Sequence, residues 1–156
     1  ERAMLEKALI LAAKAHTGQV DKGGAPYILH PIRVMLACEG EKEKIVALLH
    51  DTLEDTALTA ADLRRAGFSE EIVQAVCCLT RGQKEDYMEY IARICENALA
   101  ARVKYADLQD NLDIRRIPNP TERDFARIRK YEQAMKRITR SVKGGREHGA
   151  LDTGEL

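Results

Sequence analysis

Tryptophan is absent from this chain of 156 residues, and two phenylalanines and five tyrosines are its whole aromatic complement. So few flat rings give single-stranded nucleic acid little to stack on. Net charge is absent as well: 25 basic residues offset 25 acidic ones, so no overall field draws the chain to nucleic acid or an acidic membrane. An anionic ligand would have to be met by a local cluster. The longest apolar stretches, such as Ile45 to Leu49, fall far short of the roughly 20 residues that cross a bilayer. Glu1-Arg2-Ala3-Met4 lacks the apolar run of a secretory signal, so the expected location is cytoplasmic. The four cysteines, Cys38, Cys77, Cys78 and Cys95, show no CxxC spacing and lie in apolar stretches. They read as small buried hydrophobes in a reducing compartment, not as a disulfide frame or a thiolate metal site.

Convincing period-two alternation is also missing, whereas helical spacing is nearly continuous, as in Leu5, Leu9 and Ala12, then Ile72, Val73 and Val76, then Met88, Ile91 and Ile94. The fold class is all-α, a single compact bundle of about eight helices with strands accessory at most. The length suits one domain with a real core. Helices are predicted over 2–15, 31–38, 41–54, 59–66, 70–79, 84–96, 99–115 and 121–142, with a glycine-rich loop over 17–27. Thr59 and Ser69 supply N-caps, and Gly67 stops the helix before it. The domain is expected to occupy residues 1–142. Residues 143–156, opening with Lys143-Gly144-Gly145, form a polar tail with little to bury, for which disorder is expected.

Against this apolar background a few polar residues stand out: His30 before Pro31, the pair His50-Asp51, the pair Glu54-Asp55, and Asp107 with Asn111 one turn later. Two histidines and two carboxylates can converge on one divalent cation, and the acidic pair can manage its water. On a continuous helix over 41–54, His50 and Asp51 would project about 100° apart, with Glu54 and Asp55 one turn further along the same broad face. Ile45, Ala47, Leu48 and Leu49 mark that helix as central, and buried carboxylates and imidazoles are costly unless paired or metal-bound. Alone, the pair could be a hydrogen-bonded core histidine beside a solvated helix end. Joined to His30, Asp107 and Asn111, it points to a metal-dependent phosphohydrolase. Lys104, Arg115 or Arg116 could reach a polyphosphate. Arg123, Arg127, Arg129 and Lys130 read as a solvated basic face, and His16 as a histidine complementing a helix dipole.

The segment His16-Thr17-Gly18-Gln19-Val20-Asp21-Lys22-Gly23-Gly24-Ala25-Pro26-Tyr27-Ile28-Leu29-His30-Pro31 resembles the first motif of the Rel/Spo-type alarmone hydrolases, within the His-Asp (HD) superfamily. His50-Asp51-Thr52-Leu53-Glu54-Asp55-Thr56 and Val103-Lys104-Tyr105-Ala106-Asp107-Leu108-Gln109-Asp110-Asn111 resemble its next two blocks, in the same order. The resemblance implies an HD-domain fold and manganese-dependent hydrolysis of guanosine 3′-diphosphate 5′-di(tri)phosphate, (p)ppGpp, an alarmone of the stringent response, with release of pyrophosphate. It implies that His30, His50, Asp51 and Asp107 would hold one Mn2+ ion and that Glu54 and Asp55 would orient and activate the attacking water. Lys22 would contact phosphate or base, and Asn111 the nucleoside.

The expected partner is a small nucleotide, not nucleic acid or membrane, and oligomeric state stays open. With no room for a synthetase domain, degradation alone is expected. One position departs from the pattern. Where the family has an arginine that packs on guanine, this chain has Asp21, which cannot stack as a cation and would repel phosphate. Two alternatives therefore stand beside the alarmone: hydrolysis of another phosphorylated nucleotide, and a nucleotide-binding regulator with a vestigial site. The intact set of candidate ligands and acids argues against the latter.

Overall fold

The computed structural model describes residues 3–150. Among these described residues nine α-helices follow in order: α1 (Met4–Ala15), α2 (Leu29–Leu36), α3 (Glu41–Leu49), α4 (Thr52–Asp55), α5 (Ala60–Arg65), α6 (Glu70–Cys78), α7 (Tyr87–Ile94), α8 (Ala98–Asn111) and α9 (Glu122–Ala150), with a 3-10 turn at Ile114–Arg116. Among the described residues the β-structure is one isolated bridge between Val20 and Pro26, which pins the glycine-rich loop. No described helix is long and apolar enough to cross a membrane.

Two helices make the centre. Ile45 to Leu49 of α3 are at most 3% exposed, and α8 buries Leu99, Ala100, Ala101, Val103, Ala106 and Leu108. A helix that is apolar most of the way round belongs inside, and each fully buried leucine contributes about 1.5–3 kcal/mol. These helices pack on each other, with α1 and α2 against α3, and α2 and α9 against α8. Lys104 and Asp107 are buried in α8 beside those hydrophobes, a placement that requires pairing.

Helix ends follow their capping residues. Thr59 and Asp62 form a capping box on α5, and Ser69, Asp86 and Asn97 cap α6, α7 and α8. Gly67, at φ +97°, turns the chain after α5.

Several boundaries differ from expectation, four of them with consequences for the site or the expected tail. The helix expected over 41–54 breaks: α3 stops at Leu49, Asp51 sits at φ −101° and ψ 0°, and α4 restarts at Thr52. Side chains compete with the backbone ladder there, since the Thr52 hydroxyl donates to the Leu49 carbonyl at 2.7 Å and His50 Nδ1 to the Ala47 carbonyl at 2.5 Å. His50 and Asp51 thus flank a helix junction instead of sharing one continuous face. The second helix begins at Leu29, so His30 lies in its first turn. The helix expected to reach residue 115 ends at Asn111, and Asp113 accepts from the Arg115 N–H at 3.1 Å to start the 3-10 turn. The last helix continues past residue 142 to Ala150, while residues 151–156 of the expected tail lie outside the described residues.

Candidate metal centre

Each central polar residue arrives from a different place in the bundle. His30 comes from the first turn of α2, His50 and Asp51 from the α3–α4 junction, and Asp107 from α8. His30 Nε2 stands 2.8 Å from Asp107 Oδ1, and His50 Nε2 stands 3.2 Å from the same oxygen. Asp51 Oδ2 is 3.1 Å from His50 Nε2 and 3.9 Å from His30 Nε2. Both rings therefore aim Nε2 at one pair of carboxylates.

Their outer nitrogens are engaged elsewhere. His30 Nδ1 donates to Asp110 at 2.6 Å, and His50 Nδ1 donates to the Ala47 carbonyl. Such outward donation fixes the ring so that Nε2 is the nitrogen that could ligate a metal ion once its proton leaves. Asp107 also accepts from Lys104 Nζ at 2.8 Å and from Asn111 Nδ2 at 3.2 Å. The Tyr27 hydroxyl donates a short hydrogen bond to Asp51 Oδ2.

The electrostatics favour positive charge at this point. Burial works against a proton on His50, but the carboxylates of Asp51 and Asp107 overrule it and hold the imidazole pKa well above its ordinary value. His30 is raised too, its burial outweighed by hydrogen bonds to Asp107 and Asp110. Burial also opposes charge on the acids, yet His50 holds Asp51 at about 2, and Lys104, His50 and His30 hold Asp107 well below the usual carboxylate range. Carboxylates that raise both imidazole pKa values against burial make this a place that favours positive charge. Two imidazole nitrogens with two carboxylate oxygens suit a transition-metal dication such as manganese. The donor chemistry fits the expected ion.

A second acidic group adjoins the first. Ligand oxygens of Asp51, Glu54 and Asp55 lie within 4.8 Å of one another. Glu54 Oε1 accepts from the Arg81 backbone N–H at 2.9 Å, and Gln19 Nε2 donates to the Asp55 carbonyl at 3.0 Å. Burial, with Asp51 close by, pushes both carboxyl pKa values up, and for Glu54 the Arg81 bond offsets part of the rise. Both residues are exposed on the open side of the site.

The two acidic groups open into a cleft of about 580 Å³ that also reaches Asp21, Lys22, Lys104 and Asn111. The structure thus brings His30, Asp51, Glu54, Asp55, Asp107, Asn111, Lys22, Asp21 and Lys104 to the cleft wall, with His50 buried behind it. Their engagements differ from simple substrate contacts. Lys22 is 57% exposed and 3.6 Å from Asp124. Asp21 Oδ1 accepts from the backbone N–H groups of Gly23 and Ala25, each at 2.9 Å, so this carboxylate folds the loop as well as facing the cleft. A Cβ on Gly23 would come within 2.5 Å of the Arg116 carbonyl, a contact that docks the loop on the 3-10 turn.

Arg116 lines the cleft, whereas Arg115 is 87% exposed and paired with Asp113. Part of the basic face expected to be solvated also turns inward, since Arg127 and Lys130 line the cleft, with Tyr131 beside them. His16 is buried beneath the loop, with Nδ1 2.8 Å from Gln19 and its ring 4.9 Å from Tyr27.

Sequence reasoning passed over Tyr27, Arg33, Arg81, Tyr87, Tyr90 and Asp110, all of which line the cleft. Asp110 had a visible signal, lying three residues beyond Asp107 on one helix. Arg81 and Tyr87 had none, because only folding brings their segment to the site.

No family model matches the chain. It is 30% identical over 144 residues to a GTP pyrophosphokinase of Myxococcus xanthus, a match covering 80% of this chain and 18% of the relative. It is 32% identical over 120 residues to a guanosine-3′,5′-bis(diphosphate) 3′-pyrophosphohydrolase of Aquifex aeolicus, covering 69% and 17%. To the bifunctional (p)ppGpp synthase/hydrolase SpoT of Escherichia coli it is 32% identical over 124 residues, again covering 69% and 17%. The chain spans less than a fifth of the length of these relatives. Among solved structures, a metazoan orthologue of SpoT that hydrolyses ppGpp superposes with a TM-score of 0.72 at 27% identity, covering 91% of this chain and 86% of the other. The fold is shared nearly end to end.

Proposed function

We propose, from the premise that this chain is an HD-domain relative of the Rel/Spo-type alarmone hydrolases, that it is a manganese-dependent phosphohydrolase releasing pyrophosphate from the 3′ position of (p)ppGpp. The observation that supports this most is the convergence of His30 Nε2 and His50 Nε2 on one oxygen of Asp107, with Asp51 alongside. In this reading His30, His50, Asp51 and Asp107 hold the ion. Bound there, a divalent cation supplies Lewis acidity toward a phosphoryl oxygen and acidifies water.

The chain's own residues do the rest. Glu54, held by the Arg81 N–H, and Asp55 orient the attacking water and take its proton, a task suited to carboxyls whose pKa values are raised. Attack at the phosphorus joined to O3′ breaks the O3′–P bond, the 3′ oxygen takes up a proton, and pyrophosphate departs. Lys104 and Asn111 hold Asp107 in position from the cleft wall, and Lys22 meets phosphate or base. Asp21 on the same wall favours a second reading, hydrolysis of a different phosphorylated nucleotide by the same centre.

A screen of chelator-treated protein with and without manganese, across 3′- and 5′-phosphorylated nucleotides, tests the activity. Manganese-dependent pyrophosphate release from a guanosine 3′-diphosphate is expected. Release from a different nucleotide alone would transfer the assignment to the second reading, and turnover of none would overturn both. About one equivalent of manganese should bind, with the Asp51→Ala variant binding less; equal binding by that variant would remove Asp51 from the ligand set.

A further inference from the structure

Helix α4, which carries Glu54 and Asp55, has only four residues, too few to hold a helix by backbone bonds alone. Its shape is imposed by what grips it. At its start the Thr52 hydroxyl holds the Leu49 carbonyl, and from the side the Arg81 N–H holds Glu54. The last carbonyls of a helix have no partner within it. That of Thr52 is taken by the N–H and hydroxyl of Thr56, at 3.1 and 2.6 Å, and that of Asp55 by Gln19 Nε2 at 3.0 Å.

Gln19 is itself held by His16. A backbone carbonyl only accepts, so the Gln19 amide must turn Nε2 to Asp55 and Oε1 to His16 Nδ1, 2.8 Å away. The amide oxygen only accepts as well, so His16 Nδ1 carries the hydrogen and Nε2 is bare. His16 is 2% exposed, and among the described residues its Nε2 has no hydrogen-bond partner. The opposite tautomer would bury an orphan N–H and set two lone pairs against each other across 2.8 Å, which costs more. The chain therefore runs one way: His16 donates to Gln19, and Gln19 donates to Asp55. Tyr27, its ring 4.9 Å from that of His16, gives its hydroxyl hydrogen to Asp51 instead.

We propose that His16 is a positioning residue for Asp55: through Gln19 it fixes the end of α4, and with it the direction from which the Asp55 carboxyl meets the attacking water. The inference rests on the phosphohydrolase reading for the role of Asp55 and on the hydrogen-bond chain for that of His16. The glycine-rich loop then has two separate duties. Tyr27 serves Asp51, whereas His16 and Gln19 serve the acid.

Steady-state kinetics and manganese content of His16 and Gln19 variants test this, with guanosine 3′-diphosphate 5′-diphosphate or whichever nucleotide wild type turns over. Asparagine places an amide nitrogen where His16 has Nδ1, and glutamine places one where it has Nε2. His16→Asn should keep kcat within a few-fold of wild type. His16→Leu, His16→Gln and Gln19→Leu should each lose on the order of 10²-fold in kcat, with KM and manganese content unchanged, as a small misplacement of a reacting group does. If His16→Leu does not fold, the other two carry the comparison. A ring that only fills space is replaced better by the larger glutamine, so a kcat for His16→Gln at or above that of His16→Asn would overturn the proposal. Loss of manganese in step with kcat would also overturn it, by routing the effect through Asp51. Should wild type turn over no nucleotide, the phosphohydrolase reading fails and the chain is judged separately, by the His16 tautomer in nitrogen NMR correlation spectra. Hydrogen on Nδ1 in wild type, shifting toward Nε2 in Gln19→Leu, supports the chain; hydrogen on Nε2 in wild type, or on Nδ1 alike in both proteins, removes it.

Discussion

His30 donates its Nδ1 hydrogen to Asp110 across 2.6 Å, and Arg33 grips the same carboxylate through bonds of 2.8 and 3.1 Å. Arg116 adds a second guanidinium 3.2 Å from it. Although burial opposes the charge, hydrogen bonds from His30 and Arg33 hold the Asp110 pKa at about 2. The arrangement fixes which ring nitrogen of His30 faces Asp107. Asp110→Asn should therefore weaken manganese binding on the order of 10- to 100-fold, the usual worth of an outer carboxylate on a metal-bound histidine. Competition titration against a chelator measures it, and unchanged affinity would show that the ring is held by packing alone.

Glu54 and Asp55 should be needed for turnover and dispensable for the metal. Their alanine variants are expected to lose on the order of 10² to 10⁴ in kcat while keeping their manganese, as elemental analysis would show. Two variants with near-normal turnover would remove the acidic pair from the mechanism.

Raised carboxyl pKa values also give a stability prediction with a definite sign. A group whose folded pKa exceeds its unfolded value favours folding below the unfolded pKa and loses that contribution as pH rises through the folded one. Glu54 is raised by burial and by Asp51 and Asp55, so above that window its charge works against the fold. Glu54→Gln retains an oxygen for the Arg81 N–H and removes the charge. Metal-free Glu54→Gln should melt higher than wild type at pH 8, with the gap closing toward pH 4. Thermal denaturation at the two pH values checks this, and a gap that widens on acidification would reverse the assignment.

Asp21 combines two effects that substitutions can separate. Its Oδ1 folds the loop through Gly23 and Ala25, and its charge faces the cleft. Asp21→Asn keeps an acceptor and removes the charge, so KM for guanosine tetraphosphate should fall if repulsion matters. Asp21→Arg places a cation there but loses both loop bonds, so its gain should be smaller than that of Asp21→Asn. Steady-state kinetics of the pair decide it, and equal KM values in wild type and Asp21→Asn would mean that the carboxylate serves the loop alone.

The all-helical bundle was legible because apolar spacing and capping residues are local signals, as at Thr59, Ser69 and Gly67. The central polar residues were legible because imidazoles and carboxylates in otherwise apolar helices require an explanation, and His30, His50 and Asp107 do meet. The junction at His50-Asp51 was not, since it depends on side-chain bonds from His50 and Thr52 that periodicity does not register. Nor was the inward turn of Arg127 and Lys130, whose basic stripe looks the same in sequence whether it meets solvent or a cleft. Arg81 meets Glu54 only through tertiary packing across 27 residues of chain.

The central claim is tested most directly by identifying the products formed from guanosine 3′-diphosphate 5′-diphosphate. The manganese-loaded protein and its Asp51→Ala variant are incubated with the nucleotide, and products are separated by anion-exchange chromatography. The account predicts guanosine 5′-diphosphate and pyrophosphate in equal amounts from wild type, with formation abolished by chelation and strongly reduced in Asp51→Ala. Intact nucleotide, inorganic phosphate in place of pyrophosphate, or the same yield from the variant would contradict it.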